Sequence, residues 1–235
     1  MTDYALHCSG GLCNRLLGLL SARAKYPEAH LHVYWPVGSY KVSKAFPRLD
    51  AKFEQLYTDL PGVTFIPLEQ LEQFKHKKMK YGYSHGVLPN TPSQLLYPWK
   101  TLFQLKDPTL YLKAKKQLAS PYAGCLIRCH GHHFTSDWKP QDKFTTLLKS
   151  LSKPVFICCD DSNFASRFPS AVSVPKPGSI GSVSQLIGVA ADLQILAEAD
   201  EFYSPPFTAM AVYVQLLRDQ PLHAHKPIGD WSKLQ

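Results

Sequence analysis

Ser9-Gly10-Gly11-Leu12-Cys13-Asn14-Arg15-Leu16 is the stretch that decides how this chain folds. Before it runs an apolar segment, Tyr4 to Cys8, which reads as a β-strand. After it, Leu16 to Lys25 is rich in Leu and Ala and reads as a helix. Strand, glycine turn and helix together make a βα unit whose first helical N–H groups face the carboxyl end of the strand. Glycine allows a positive φ and lets a ligand approach the backbone closely. Asn14 and Arg15 add a directional amide and a fixed cation at that edge. The plainer alternative is a tight turn with a helix cap and a surface arginine.

Outward from this unit, strands and helices alternate. His30 to Trp35 and Val63 to Ile66 read as strands closed by Pro36 and Pro67. Residues 40–57 read as a loop followed by a helix that buries Phe46, Leu49, Phe53 and Leu56. Leu68 to Phe74 makes a helical turn, and Pro108 to Leu118 a helix. Between them, residues 76–100 carry Gly82, Gly86, Pro89, Pro92 and Pro98 and read as a long irregular loop. A second alternation starts at residue 119. Its strands are Gly124–Cys129, Pro154–Cys159, Ala171–Val174 and Glu201–Tyr203. Its helices are Lys143–Leu151, Asn163–Phe168, Ser184–Ala199 and Phe207–Leu217. Such alternation implies parallel sheets with right-handed crossovers. The expected class is α/β: two Rossmann-like domains facing a cleft, residues 1–118 and 119–217, followed by a tail, 218–235.

Composition narrows the function. The chain has 235 residues, 45% hydrophobic and 19% charged, enough for two small cores and unlike a disordered chain. A net charge of +8 suits an anionic small substrate. The basic residues are scattered and no RNA-binding signature is present, so nucleic acid is not expected as a partner. No apolar run has the roughly 20 residues of a membrane span. The first strand starts almost at once, so no leader is expected and the chain reads as cytoplasmic. In that compartment Cys8, Cys13, Cys125, Cys129, Cys158 and Cys159 are expected to stay reduced, all but Cys13 within strands.

Three places in the second half fall where open α/β sheets bind ligands. Arg128 follows Leu126-Ile127 and suits a diphosphate, held by two parallel hydrogen bonds; its structural alternative is an ion pair with Asp160 or Asp192. Asp160-Asp161 suits a ribose or base, and its alternative is the N-cap of the helix near Asn163. Ser204-Pro205-Pro206-Phe207-Thr208 offers hydroxyls and free N–H groups to phosphate oxygens, and its alternative is a capping turn. His130, His132, His133 and Asp137 follow Arg128. With Cys125 and Cys129 they raise zinc, but the spacing lacks a second ligand pair, so no metal is expected. A histidine or aspartate acting as general base fits better, with His130 and Asp137 the candidates.

These residues together resemble a known family. Gly10-Gly11-Leu12-Cys13-Asn14-Arg15-Leu16, Val33-Tyr34-Trp35-Pro36, Leu126-Ile127-Arg128, Cys159-Asp160-Asp161, and Asp192-Leu193 through Ala199-Asp200 to Ser204 and Thr208 fall in the order seen in fucosyltransferases. The resemblance is to the α1,2-, α1,6- and protein-O-fucosyltransferase superfamily. It implies a GT-B glycosyltransferase that transfers fucose or a related sugar from a GDP-sugar to a glycan acceptor hydroxyl, with inversion and without a metal or other cofactor. The first domain would take the acceptor. Arg128 matches the diphosphate-binding arginine, Asp160 and Asp161 the nucleoside-contacting pair, and Ser204, Phe207 and Thr208 the phosphate-contacting turn. Gly10, Gly11, Asn14 and Arg15 match the cleft-lining motif. The sequence also departs from the pattern: the histidine before the motif arginine is Leu126, the second arginine is Cys129, the aspartate falls on Gly131, and a motif glycine is Cys13. Two alternatives follow: a transferase using another nucleotide-sugar, or a non-catalytic nucleotide- or glycan-binding protein.

Overall fold

The computed structural model describes residues 3–38, 49–76, 80–84, 102–129, 140–205, 208–218 and 226–227. They divide into two compact units. Residues 1–107 and 176–187 form the first, and residues 108–175 and 188–235 the second.

The first unit is built on strands β1 (Asp3–Cys8), β2 (His30–Tyr34), β3 (Val63–Phe65) and β4 (Lys80–Ser84), all parallel in the order β3-β2-β1-β4. Helix α1 (Leu12–Lys25) makes the crossover from β1 to β2 and is buried along most of its length. Helix α2 (Leu68–His76) buries Leu71 against Ala5 and Ile66. An aromatic cluster closes the outer side of β3. Phe53, in a 3-10 turn at Phe53–Gln55, stacks on Phe65 at 4.7 Å, and Trp35 meets Phe53 edge-on at 5.4 Å. The segment 176–187 joins this unit through Asp50, whose N–H donates to the Gly181 carbonyl at 2.8 Å.

One buried cation fastens this unit. Arg23, 5% exposed, donates from Nη1 to Pro27 O and Ala29 O, and from Nη2 to Pro61 O and Gly62 O, at 2.9–3.1 Å. The end of α1 is thereby tied to the chain entering β2 and β3. Carbonyl dipoles meet the buried guanidinium, with the Glu28 charge acting on it as well.

The second unit holds β5 (Ala123–Ile127), β6 (Val155–Cys159), β7 (Glu201–Ser204) and β8 (Lys226–Pro227), again all parallel, in the order β6-β5-β7-β8. Every residue of β5 is buried, as expected of a strand covered on both faces. Helices α3 (Thr109–Lys115), α4 (Pro140–Ser150), α5 (Ser162–Ala165), α6 (Val183–Glu198, from Gly188 onward in this unit) and α7 (Ala209–Leu217) accompany the sheet. The end of α6 lies so close to β5 that a Cβ at Gly124 would stand 2.9 Å from Ala199 Cβ. Only glycine fits there. Before the two central strands, Tyr122 N–H donates to Asp200 Oδ2 at 2.7 Å, and Asp200 N–H donates back to Tyr122 O at 3.0 Å. Arg218 repeats the role of Arg23: it donates to the Leu196, Ala199 and Asp200 carbonyls, joining α7 to the end of α6.

The parallel α/β organisation expected from the sequence is present; its boundaries and several elements differ. The break falls after residue 107, not 118, and residues 176–187 belong to the first unit. Residues 226–227, assigned to a tail, are an edge strand. Within the expected loop 76–100, Lys80–Ser84 is a strand beside β1. Only the 3-10 turn at Phe53–Gln55 is helical among the described part of 40–57. Ala171–Val174 reduces to a single bridge, Val172 to Phe156. Helix α1 begins at Leu12, so Asn14 and Arg15 lie in its first turn.

Two stability predictions follow from these contacts. Arg23→Met removes the guanidinium donor from four carbonyls, of which Gly62 O keeps the Leu31 N–H, and should lower unfolding stability by about 3 kcal/mol in chemical denaturation. Burial pushes the Cys8 and Cys125 thiols from 9.0 up to about 12. Above pH 9 the unfolded thiols ionise while the folded ones stay neutral. Stability should therefore hold below pH 9 and fall progressively toward pH 12, read as a falling urea midpoint.

Candidate functional site

In the second unit the chain passes from β5 through α4 to β6 on one side, then crosses to β7 on the other. The strand order therefore reverses between β5 and β7. Beyond the carboxyl ends of those two strands lies the topological switch point, where parallel α/β sheets bind ligands. The residues leaving β5, β6 and β7 there are Arg128, Asp160 and Pro205.

Arg128 and Asp160 pair directly, Nε to Oδ2 at 3.2 Å, with their side chains 40% and 28% exposed. The other carboxylate oxygen, Oδ1, accepts the Cys129 N–H at 2.6 Å. One aspartate thus grips both the side chain and the backbone that follow β5. The ion pair uses the Nε edge of the guanidinium; Nη1 and Nη2 carry its other four N–H donors, the set that holds a diphosphate bidentately. Asp161 caps α5, its Oδ1 accepting from Asn163 N–H at 2.9 Å and Phe164 N–H at 3.3 Å. Both structural alternatives weighed for these residues, the Asp160 pairing and the N-cap, are realised.

After β7, Ser204 is wholly buried, and its Oγ has no hydrogen-bond partner among the described residues. Thr208 is the N-cap of α7, its Oγ1 accepting the Ala211 N–H at 3.1 Å. The capping turn is therefore real. It leaves a buried hydroxyl and a helix start side by side along the chain, the pairing that suits a phosphate oxygen. His130, His132, His133, Asp137 and Phe207 lie outside the described residues.

The Gly10–Arg15 turn sits at the carboxyl end of β1 in the first unit. Gly10 takes φ +78°, a conformation that needs glycine, and Gly11 is the N-cap of α1 without a side-chain bond. Arg15 corrects the expectation of a cation at an open edge: it is 2% exposed. Its Nε donates to Gly10 O at 2.8 Å, its Nη1 donates to Pro36 O, and its guanidinium lies 5.3 Å from the Trp35 ring centre. Arg15 shapes the turn and joins it to the Trp35-Pro36 segment after β2. The two carbonyls supply negative ends for the buried guanidinium's N–H groups.

Sequence reasoning missed one pair. Cys129 Sγ lies 3.7 Å from Cys159 Sγ, and Asp161 N–H points at Cys159 Sγ at 3.3 Å. The hydrogen bond from Cys129, together with this N–H, lowers the Cys159 thiol below its ordinary value despite burial. The strand register contains the signal, since Ile127 pairs with Cys159 and Cys129 stands two residues on. No helix among the described residues is long and apolar enough to cross a membrane.

No family model matches the chain, and no curated protein matches it. Solved structures do. The fucosyltransferase NodZ from Bradyrhizobium is similar with a TM-score of 0.63 at 15% identity, over 92% of this chain and 94% of that one. NodZ α-1,6-fucosyltransferase soaked with GDP-fucose gives 0.59 at 15% identity, over 92% and 93%. POFUT1 in complex with GDP gives 0.55 at 14% identity, over 97% and 98%. Along nearly its whole length, this chain has the fold of these fucosyltransferases.

Proposed function

We propose that this protein is a fucosyltransferase-like glycosyltransferase that moves fucose or a related sugar from a GDP-sugar to an acceptor hydroxyl. The observation that carries the reading is Arg128, clamped by Asp160 at the switch point of the second sheet. It is supported by the likeness in fold to enzymes solved with GDP and GDP-fucose, and by the order of the motifs. In this reading the two units form the GT-B pair, with the donor in the second and the acceptor facing the Gly10–Asn14 turn of the first.

The acceptor oxygen attacks the anomeric carbon on the face opposite the diphosphate. A carbon–oxygen bond forms as the bond to the β-phosphate oxygen breaks, which inverts the anomeric centre. GDP leaves with the electron pair. Arg128, the Ser204 hydroxyl and the N–H groups at the start of α7 meet the charge that develops on it, the electrostatic part that a divalent ion would otherwise play. Asp160 acts as a positioning residue through its hold on Arg128. Asp161 is assigned to the nucleoside side and Phe207 to the phosphate turn. The acceptor proton passes to a base, for which His130 and Asp137, on the segment after β5, are the candidates.

Arg128→Ala should keep the fold, lose the thermal shift given by GDP, and lower donor turnover by about 100-fold or more. GDP should stabilise the wild-type chain and UDP should not. Wild-type turnover in Arg128→Ala refutes the assignment. A GDP shift without donor hydrolysis or transfer would make the protein a nucleotide-binding relative instead.

A further inference from the structure

We propose that Cys129, Cys159 and Asp160 form a binding site for a thiophilic divalent cation, with Zn²⁺ as the reference ion. One sulfur, one neighbouring sulfur and a carboxylate oxygen all lie within 4.8 Å of one another at the carboxyl edge of the second sheet. Tetrahedral zinc with Zn–S bonds of about 2.3 Å needs sulfurs about 3.8 Å apart. The two sulfurs already stand at 3.7 Å. That spacing comes from the sheet itself. Ile127 and Cys159 are register partners on adjacent parallel strands, and Cys129 follows two residues beyond. Asp160 is held in place independently, since its Oδ1 takes the Cys129 N–H at 2.6 Å.

The charges agree with this assignment. Two thiolates and a carboxylate around a dication leave one net negative charge, and Arg128, on Asp160 Oδ2, offsets it. Binding releases the two thiol protons, so affinity rises with pH. Three protein ligands leave the fourth position to a water or another oxygen. Sulfur donors select Zn²⁺ or Cd²⁺ over Mg²⁺ or Mn²⁺, which prefer oxygen. The site is therefore chemically distinct from a cation that would bridge a diphosphate, and it does not rest on the donor reading.

The test is titration of the reduced full-length chain with Zn²⁺ against a chromogenic chelator, and with Cd²⁺ followed by its thiolate absorption in the ultraviolet. The expected result is one equivalent bound, with release of protons. Cys129→Ser is the decisive variant, because this residue is only partly buried, at the margin of the core, whereas Cys159 lies within it. It should weaken binding by about 100-fold and remove most of the Cd–thiolate band. Cys159→Ser should do the same where it folds, and Asp160→Asn should weaken binding by about 10-fold. The proposal falls if reduced wild-type chain takes up no equivalent, or if Cys129→Ser binds like wild type. It falls equally if the pair oxidises to a disulfide and the reduced form shows no thiolate band. GDP thermal shifts on the same preparations report the donor site separately, so either reading can fail alone.

Discussion

A parallel sheet imposes one constraint from which most of this structure follows: every strand must be re-entered from the same end. Each connection has to cross a face of the sheet, and all the carboxyl ends gather along one edge. In the second unit this brings together residues far apart in the chain, Arg128 after β5, Asp160 after β6 and Ser204 at the end of β7. No local preference places them there. The order β6-β5-β7-β8 does, because the crossing from β6 to β7 passes over β5 and opens the edge between β5 and β7.

The edge costs the fold something, and the local hydrogen bonds show how this is offset. Each strand delivers a backbone that stops pairing, and each following helix begins with unpaired N–H groups. Asp161 and Thr208 satisfy part of that need as N-caps, and Asp160 secures the Cys129 amide. Ser204 is different. Its buried hydroxyl lies at the reversal of strand order with no protein partner among the described residues, where burial without a bond is unfavourable. Caps hold the frame, whereas the Ser204 hydroxyl is left with its hydrogen bonding incomplete among the described residues.

Legibility in the sequence follows the range of the forces. The βα unit at Tyr4–Lys25 was readable because strand, turn and helix signals are all local. The caps at Asp161 and Thr208 were readable, as alternatives, for the same reason. Strand β4 was not: Lys80-Tyr81-Gly82-Tyr83-Ser84 is short, polar and follows a lysine run, and only the pairing with β1 makes it a strand. The same holds for Lys226–Pro227 beside β7. Arg15 looked like a surface cation because its partners, the Gly10 and Pro36 carbonyls, are backbone atoms that carry no residue signature. Cys129 and Cys159 looked unrelated because their proximity is a fact of register.

That register has a chemical consequence at the edge. A carboxylate, a guanidinium and two sulfurs share one corner of the sheet, and they differ in hardness. The guanidinium and helix-start amides favour oxyanions, whereas the sulfur pair favours a soft cation. Asp160 belongs to both sets, since one oxygen meets Arg128 and the other the Cys129 amide. Substituting sulfur where the resembling family has a second arginine exchanges a positive group for a polarizable one. The positive charge described at this corner is that of Arg128, and Asp160, 3.2 Å from its Nε, fixes one edge of the guanidinium.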